Sequence, residues 1–221
     1  MELFLTLLSG IGWCIVYEEC IRLSIRQKTY AMPFCALSMN ITWEGIYGIS
    51  EIQVSFGVQP VMNILWFLLD IVILLLYFKN GKSEWAHKES GWTFYAWSLL
   101  GIAAMFWVQM SFIQEFGMAG HLSAQYSAFI QNLIMSIAFI HMLQKRQSSK
   151  GQSLLLAVAK WLGTLVPTIL MGIMATNYVV LSCGLLCSVY DILYIVLLYK
   201  RIQLEKQYVV IPLDQPEKRL E

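Results

Sequence analysis

Residues 60–78 read PVMNILWFLLDIVILLLYF and contain one charged side chain, Asp70. A transmembrane α-helix needs about 20 predominantly apolar residues, so this run is long enough to cross a bilayer. It is too long for an ordinary β-strand. Within a bilayer, a helix satisfies every backbone hydrogen bond inside one segment. The stretch therefore predicts a membrane-spanning helix.

The rest of the chain has the same character. Its 221 residues are 58% hydrophobic and 13% charged, whereas a soluble domain carries about 25% charged residues. This composition excludes a soluble enzyme, a disordered chain and a disulfide-stapled secreted module. We predict an all-α, polytopic membrane protein, with residues 1–221 forming a single seven-transmembrane-helix domain. The predicted helices are 3–23, 33–50, 60–78, 92–112, 122–143, 154–175 and 178–199, followed by a tail at 200–221.

Basic residues predict the orientation of these helices. Fourteen of the 15 Lys and Arg residues follow the first, third, fifth and seventh helices. The positive-inside rule then places the N-terminus outside or in the lumen and the C-terminal tail in the cytosol. Lys160 lies in the first turns of the sixth helix, and we expect it to snorkel to the cytosolic side. The first apolar run starts at Leu3 without a preceding basic segment, so we expect a retained helix and not a cleaved signal.

Three acidic residues lie near the middle of predicted helices, namely Glu44, Asp70 and Asp191. An ionisable group at this depth costs at least about 2.5 kcal/mol, which makes each one a candidate functional residue. A single buried Asp or Asn can also have a purely structural role, as a hydrogen-bonding link between helices. Asp70 therefore has either a structural or a functional role, and we expect Asn132 and Gln125 to have structural or positioning roles.

Each acid belongs to a polar helix face whose members recur at helical spacing. Lipid would penalise all of these faces, so we expect them to face one another across an interior cavity. The predicted faces are Asn40, Trp43, Glu44 and Tyr47; Asn63, Trp66 and Asp70; Cys187, Tyr190, Asp191 and Tyr194; and Gln125, Asn132 and Ser136.

Missing motifs narrow the chemistry. The sequence contains no HExxH zinc motif, no Asp-rich motif that would hold magnesium on a diphosphate, and no glycine-rich phosphate loop. Its three histidines, His87, His121 and His141, are isolated and lie near predicted helix ends or loops. We therefore expect no metal and no cofactor. The net charge of +1 gives no indication of nucleic-acid binding.

The residues that are present suit proton-initiated carbocation chemistry. A carboxyl group in a dry cavity can stay protonated, because burial disfavours its charged form, and can then act as a general acid. Aromatic faces stabilise a nearby cation by about 0.5–2 kcal/mol each. A second carboxyl can hold a counter-charge, orient the first, or accept the final proton. These parts fit protonation of an epoxide or alkene followed by cyclisation of a polyene.

Several stretches resemble one known family. Residues 12–13 (GW), 29–33 (TYAMP) and 40–47 (NITWEGIY) are similar to the small integral-membrane terpene cyclases of fungal meroterpenoid and indole-diterpene pathways, the paxilline and pyripyropene types. The family pattern Asn-x-x-Trp-Glu-x-x-Tyr begins here at Asn40, and its Asp-x-x-Tyr pattern begins at Asp191. The Trp66–Asp70 face and residues 131–132 also resemble the family.

The resemblance implies cyclisation of a farnesylated or geranylgeranylated scaffold after an upstream prenyltransferase and, commonly, an epoxidase have acted. It implies that Glu44 and Asp191 are the proton-handling pair, although a coupled pair leaves open which of them carries the proton. The bilayer would be the endoplasmic reticulum in a fungus or the cytoplasmic membrane in a bacterium.

Other site residues receive supporting roles in this interpretation. We expect Asn40 and Tyr47 to orient Glu44, and Tyr194 to support Asp191. Asp70 and Asn132 are further supporting residues. The expected cation-facing rings are Trp43, Trp66 and Tyr190.

Two alternatives stay open at this point. Buried acids could form the proton relay of a small-solute carrier, although the two halves of the chain show no repeat of the kind that many carriers have. The second alternative is a seven-helix receptor or sensor, which the short loops disfavour.

Overall fold

The apolar segments of the sequence form α-helices in a computed structural model, which describes residues 2–54, 57–85, 91–118 and 121–210. Seven α-helices and no strand occur within these residues. A short 3-10 turn, Gly81–Glu84, follows the third helix. The helices are α1 (Glu2–Gln27), α2 (Phe34–Val54), α3 (Val58–Asn80), α4 (Gly91–Phe116), α5 (Leu122–Arg146), α6 (Leu154–Pro167) and α7 (Tyr178–Val210).

Six of the seven helices in the described residues are long and apolar enough to cross a membrane, with α6 taken together with its continuation. α2 is the exception, although it has 21 residues. Its inward face carries Asn40, Glu44 and Tyr47, all buried, and these groups lower its overall hydropathy. α2 packs against α3, α4 and α5. Its polar face is therefore covered by neighbouring helices, which removes the penalty that lipid would impose.

The sixth predicted helix, 154–175, is not a uniform α-helix. It continues beyond Pro167 as a π-helical segment, Thr168–Met174. Proline has no N–H and its ring crowds the carbonyl one turn earlier, and a locally widened turn relieves this conflict. The seventh helix extends to Val210, so the first half of the predicted tail is helical. Residues 211–221 lie outside the described residues, as do His87 and Lys88.

Large apolar side chains cover the outer surface of the bundle, where lipid would surround it. On α4, Trp107 is 76% exposed, and Leu99 and Leu100 are each 63% exposed. A soluble monomer rarely presents apolar area on this scale. The inward side of the bundle holds the polar residues instead, including Glu44, Asp70 and Asp191.

Lys160 does not snorkel, so that prediction is wrong. Its side chain is completely buried, and its ammonium group contacts both carboxylate oxygens of Asp191, at 2.8 and 3.0 Å. A long aliphatic stem allows snorkelling only where no partner is nearer than the membrane surface. Here α7 supplies a carboxylate within direct reach, and the ion pair joins α6 to α7.

α1 and α6 pack closely because small residues meet at their interface. A side-chain carbon added at Gly12 would lie 3.1 Å from the Gly163 Cα and 3.2 Å from the Ala159 carbonyl oxygen. Close backbone approach through small residues is a usual means of packing helices in membranes. The contact places the first half of α1 beside α6 and so fixes one wall of the interior.

Replacing Gly12 with valine is expected to destabilise the bundle by about 1–3 kcal/mol, because the added carbons meet backbone atoms that cannot move aside. The measurement is thermal unfolding of the purified protein in detergent. The matched control is Gly10→Val, since a side-chain carbon at Gly10 would meet only Met62 Cε, at 3.8 Å and at the end of a flexible side chain. Equal unfolding temperatures for Gly12→Val and wild type would contradict this packing.

Candidate active site

An interior cavity of about 540 Å³ lies between α1, α2, α3, α5 and α6. One end is formed by residues at helix ends, including Leu5, Glu51, Pro60 and His121. The His121 side chain there is 67% exposed. The other end is formed by buried residues one to three turns deeper, among them Tyr17 and Glu44. We call these two ends the mouth and the floor.

Glu44 lies at the floor and is held by two neighbours. The Tyr17 hydroxyl on α1 donates a hydrogen bond to Glu44 Oε1. The Asn40 side-chain amide, one turn before Glu44 on α2, donates to the same tyrosine oxygen at 3.1 Å. Asn40 thus orients Glu44 through Tyr17. All three side chains are buried and line the cavity.

The hydrogen-bond chain continues across the bundle. Gln131 on α5 donates to Asn40 Oδ1 at 3.3 Å, and Gln109 on α4 donates to Gln131 Oε1 at 3.2 Å. The chain therefore links α1, α2, α5 and α4 in sequence. A buried polar network of this kind fixes the rotation of each helix about its axis, because turning one helix would leave several polar groups without partners.

Asp70, on the neighbouring helix α3, lies next to Glu44. It is completely buried on α3, and its carboxyl is close enough to that of Glu44 for the two to interact electrostatically. Glu44 Oε2 and both Asp70 oxygens receive no N–H or O–H from the described residues. The two carboxyls therefore form a pair that no cation accompanies within that part of the chain.

Aromatic rings surround this pair. Trp66 stacks on Tyr17 with ring centroids 6.4 Å apart and an interplanar angle of 10°. Trp13 tilts against the same tyrosine at 6.4 Å. The Trp43 indole donates to Ser127 Oγ on α5 at 3.0 Å, which fixes its ring. All three tryptophans line the cavity. Trp43 and Trp66, two of the three predicted cation-facing rings, therefore line the same cavity as Glu44.

Asp191 occupies a different place. Among the described residues it does not belong to the cavity lining. It is paired with Lys160, whose ammonium group also donates to Ser136 Oγ at 2.7 Å. Ser136 in turn donates to the Asn132 carbonyl oxygen at 2.9 Å, and Asn132 lines the cavity. The ion pair therefore lies one helical turn beyond the cavity floor, and Ser136 on α5 connects it to that floor.

The remaining predicted residues divide between the cavity and the surrounding packing. Tyr47 packs its ring on Trp43 with centroids 5.0 Å apart, and its hydroxyl makes no hydrogen bond with Glu44 within the described residues. Tyr194 donates to Gln152 Oε1 at 3.0 Å, on the side away from the cavity. Tyr190 is partly buried on α7 and lies outside the described lining.

Several residues of this site were not predicted from the sequence. Tyr17 is the centre of the Glu44 network, and its spacing of four residues from Trp13 on α1 was the available signal. Lys160 is the only fully buried cation in the part of the chain that the structure describes, which marks it as a partner for a buried acid. Glu51 lies two turns after Glu44 on the same face. His121 is not isolated, because its Nδ1 lies 3.3 Å from Glu51 Oε1.

Comparison with known proteins gives several relatives. The chain is 30% identical to the Pyr4-family terpene cyclase mfmH of Annulohypoxylon moriforme, over 72% of this chain and 65% of that protein. It is 32% identical to the terpene cyclase andB of Emericella variicolor, over 75% and 70%. It is 24% identical to the terpene cyclase pyr4 of Aspergillus fumigatus, over 88% and 84%. The chain thus spans just under two thirds of the first relative and more of the other two. No solved structure gives a significant match.

A family model supports the same relationship along most of the chain. The model of Pyr4-like transmembrane terpene cyclases matches residues 1–203. The matched range takes in every lining residue of the cavity and the Lys160–Asp191 pair. Together with six helices apolar enough to span a bilayer, the match indicates an integral, multi-pass membrane protein. The chain belongs to the family of Pyr4-like transmembrane terpene cyclases.

Proposed function

We propose that this protein is a metal-independent terpene cyclase that protonates a terminal epoxide or alkene on a farnesylated or geranylgeranylated scaffold. One observation carries the proposal. The Glu44 carboxyl forms the floor of an aromatic-lined cavity, with Tyr17 on one oxygen and Asp70 behind it. A carbocation cascade needs a proton donor and cation-stabilising faces, and this cavity places a carboxyl group among tryptophan rings.

The carboxyl pair accounts for how the proton is held. Two ionised carboxylates in contact without a cation would repel each other, so the pair is expected to hold a proton. Tyr17 donates to Glu44 Oε1, which leaves Oε2 as the oxygen that can carry the transferable hydrogen. Glu44 is therefore proposed as the general acid, and Asp70 as the carboxyl that keeps the proton on it.

The proposed reaction conserves mass. The O–H bond of Glu44 breaks as its proton passes to the epoxide oxygen or to the terminal alkene carbon. The C–O bond or the π-bond opens and leaves a tertiary cation, which successive alkenes attack to close rings. A C–H proton is finally lost to a base, and the Glu44–Asp70 pair can accept it. The rings of Trp13, Trp43 and Trp66 are proposed to stabilise the cations.

Asp191 is proposed to act indirectly in this scheme. It pairs with Lys160, which holds Ser136 and through it the α5 turn that carries Asn132. A direct proton transfer from Asp191 would first require Lys160 to leave. We propose that Asp191 positions the floor of the cavity.

The size of the cavity suits such a substrate. Small-molecule pockets usually measure about 300–1,000 Å³, and this one measures about 540 Å³. A prenyltransferase, and an epoxidase where an epoxide is the substrate, are proposed to act upstream. The carrier alternative is not favoured, because the relatives are named terpene cyclases.

The test uses membranes that contain the full chain. They are incubated, with excess chelator, with farnesylated and geranylgeranylated phenols that carry either a terminal epoxide or a terminal alkene, and the products are separated with mass detection. A new peak of unchanged mass supports metal-free cyclisation and shows which group is protonated. Cyclisation that stops on addition of chelator would contradict metal independence. No isomer from a protein shown to be folded would contradict the proposed reaction on these scaffolds.

Replacing Tyr17 with phenylalanine is expected to lower turnover by about 10–100-fold, because the hydrogen bond that stabilises the negative charge developing on Glu44 as it gives up its proton is lost. Glu44 Oε1 then loses its donor and Asn40 loses its acceptor. The measurement is the rate of isomer formation at saturating substrate. Tyr95→Phe on α4 is the matched control, since Tyr95 is exposed and outside the cavity. A Tyr17→Phe rate equal to that of the control would contradict the role of Tyr17.

A further inference from the structure

The mouth of the cavity holds a second polar group, separate from the Glu44 network. Glu51, in the last turn of α2, receives a hydrogen bond from the Asn63 amide at 3.2 Å through Oε2. Its Oε1 lies 3.3 Å from His121 Nδ1. These side chains come from α2, α3 and the start of α5, and all three line the cavity.

The two polar ends are separated by a mainly apolar wall. Ala124, Ala128, Leu170 and Met171 lie along it, together with the tryptophans. Lining residues on α1 extend from Leu5 to Tyr17, which corresponds to a length of about 18 Å at 1.5 Å per residue. A polar mouth, an apolar wall and an acidic floor match a molecule with a polar head and a long hydrocarbon tail.

We propose that Glu51 and His121, supported by Asn63, form a head-group subsite that binds a ring hydroxyl of the prenylated substrate. This inference rests on the proposed function and adds the direction in which the substrate binds. The head stays at the mouth, and the free end of the prenyl chain reaches Glu44. The reverse orientation would place the ring against the floor tryptophans and an alkyl end against a carboxylate and an imidazole.

The chemistry of the subsite favours a hydroxyl group. A carboxylate has about four acceptor positions, and Asn63 and His121 occupy one each. Glu51 can therefore accept a further hydrogen bond from a ring O–H. The contact with Glu51 favours the tautomer in which His121 carries its proton on Nδ1, which leaves Nε2 as a second acceptor. A methyl ether of the same ring has no proton to donate to either group.

The experiment measures binding without turnover. Two probes carry a fully saturated farnesyl chain, which cannot be protonated, on a ring that bears either a free hydroxyl or its methyl ether. Quenching of the cavity tryptophans reports Kd for the purified full chain. Wild type is expected to bind the free hydroxyl about tenfold or more tightly than the ether, as loss of a hydrogen bond to a charged group implies.

Variants assign the preference to Glu51. Glu51→Leu removes both carboxylate acceptors and the group that fixes the His121 tautomer, so most of the preference for the free hydroxyl is expected to be lost. Glu51→Gln keeps one acceptor and should retain more of that preference. Glu115→Leu is the control, because Glu115 is exposed near the end of α4, on the same side of the bundle as the mouth. An unchanged preference in Glu51→Leu would overturn the subsite. Equal loss of binding of both probes would also overturn it, since Glu51 would then only maintain the cavity.

The outcome is independent of catalysis. A hydroxyl preference that depends on Glu51, combined with the absence of isomerisation of unsaturated substrates, would retain the subsite and reject the cyclase. Isomerisation without such a preference would retain the cyclase and reject the subsite.

Discussion

Glu44→Gln is expected to reduce isomer formation by about 10²–10⁴-fold, which is the usual contribution of a positioned general acid. The amide oxygen of glutamine still accepts the Tyr17 hydroxyl, so the hydrogen-bond chain through Asn40 stays connected. The variant removes the transferable proton and little else. The measurement is the single-turnover rate, with product detected at unchanged mass.

The control for this variant is Glu18→Gln on α1. It makes the same change of carboxyl to amide at an exposed position outside the cavity, and its rate should equal that of wild type. Thermal unfolding in detergent checks that both proteins are folded. A folded Glu44→Gln protein that turns over within threefold of Glu18→Gln would remove Glu44 from the mechanism.

Asp191→Asn is expected to lose turnover for a structural reason. The change leaves the Lys160 ammonium group completely buried without a carboxylate to balance its charge, and its acceptors are then the neutral Ser136 hydroxyl and the new amide oxygen. An unpaired buried charge costs about 3–5 kcal/mol, which corresponds to a fall in unfolding temperature on the order of 10 °C for a chain of this size.

The double variant Lys160→Met/Asp191→Asn separates positioning from proton transfer. The double variant leaves neither charge buried without its partner, so its unfolding temperature should return towards that of wild type. If Asp191 acts through packing, turnover should return as well. A stable but inactive double variant would instead show that the Asp191 carboxyl itself takes part in the chemistry.

The two experiments test contacts of two kinds: some could be predicted from the sequence, and others could not. The faces of α2 and α3 follow from residue spacing, and the structure buries Asn40, Glu44, Trp66 and Asp70 as that spacing predicts. The pairing of Glu44 with Tyr17 was not predicted. A tyrosine on an apolar helix has many equivalent uses, and its neighbour depends on the rotation of α1 against α2.

The site around Asp191 illustrates the same limit. Its burial on α7 was predicted from its depth in an apolar run, and the structure confirms that burial. The sequence also contains Lys160, but snorkelling and ion pairing were both compatible with its position near the start of α6. The distance between α6 and α7 decides between them, and close contact at Thr168 and Gly184 keeps that distance short.

The sequence by itself determined that this chain is a bundle of membrane helices with acids on their inward faces. Hydrophobic length and helical periodicity are local properties, and the cost of placing a charge in lipid applies wherever that charge lies along the chain. Only the tertiary structure decided which groups meet. In that structure Glu44 lies against Tyr17 and Asp70. Asp191 forms an ion pair with Lys160. Glu51 lies beside His121 at the mouth of the cavity. Such pairings depend on the rotation, depth and neighbours of each helix, which are set by packing across the whole bundle.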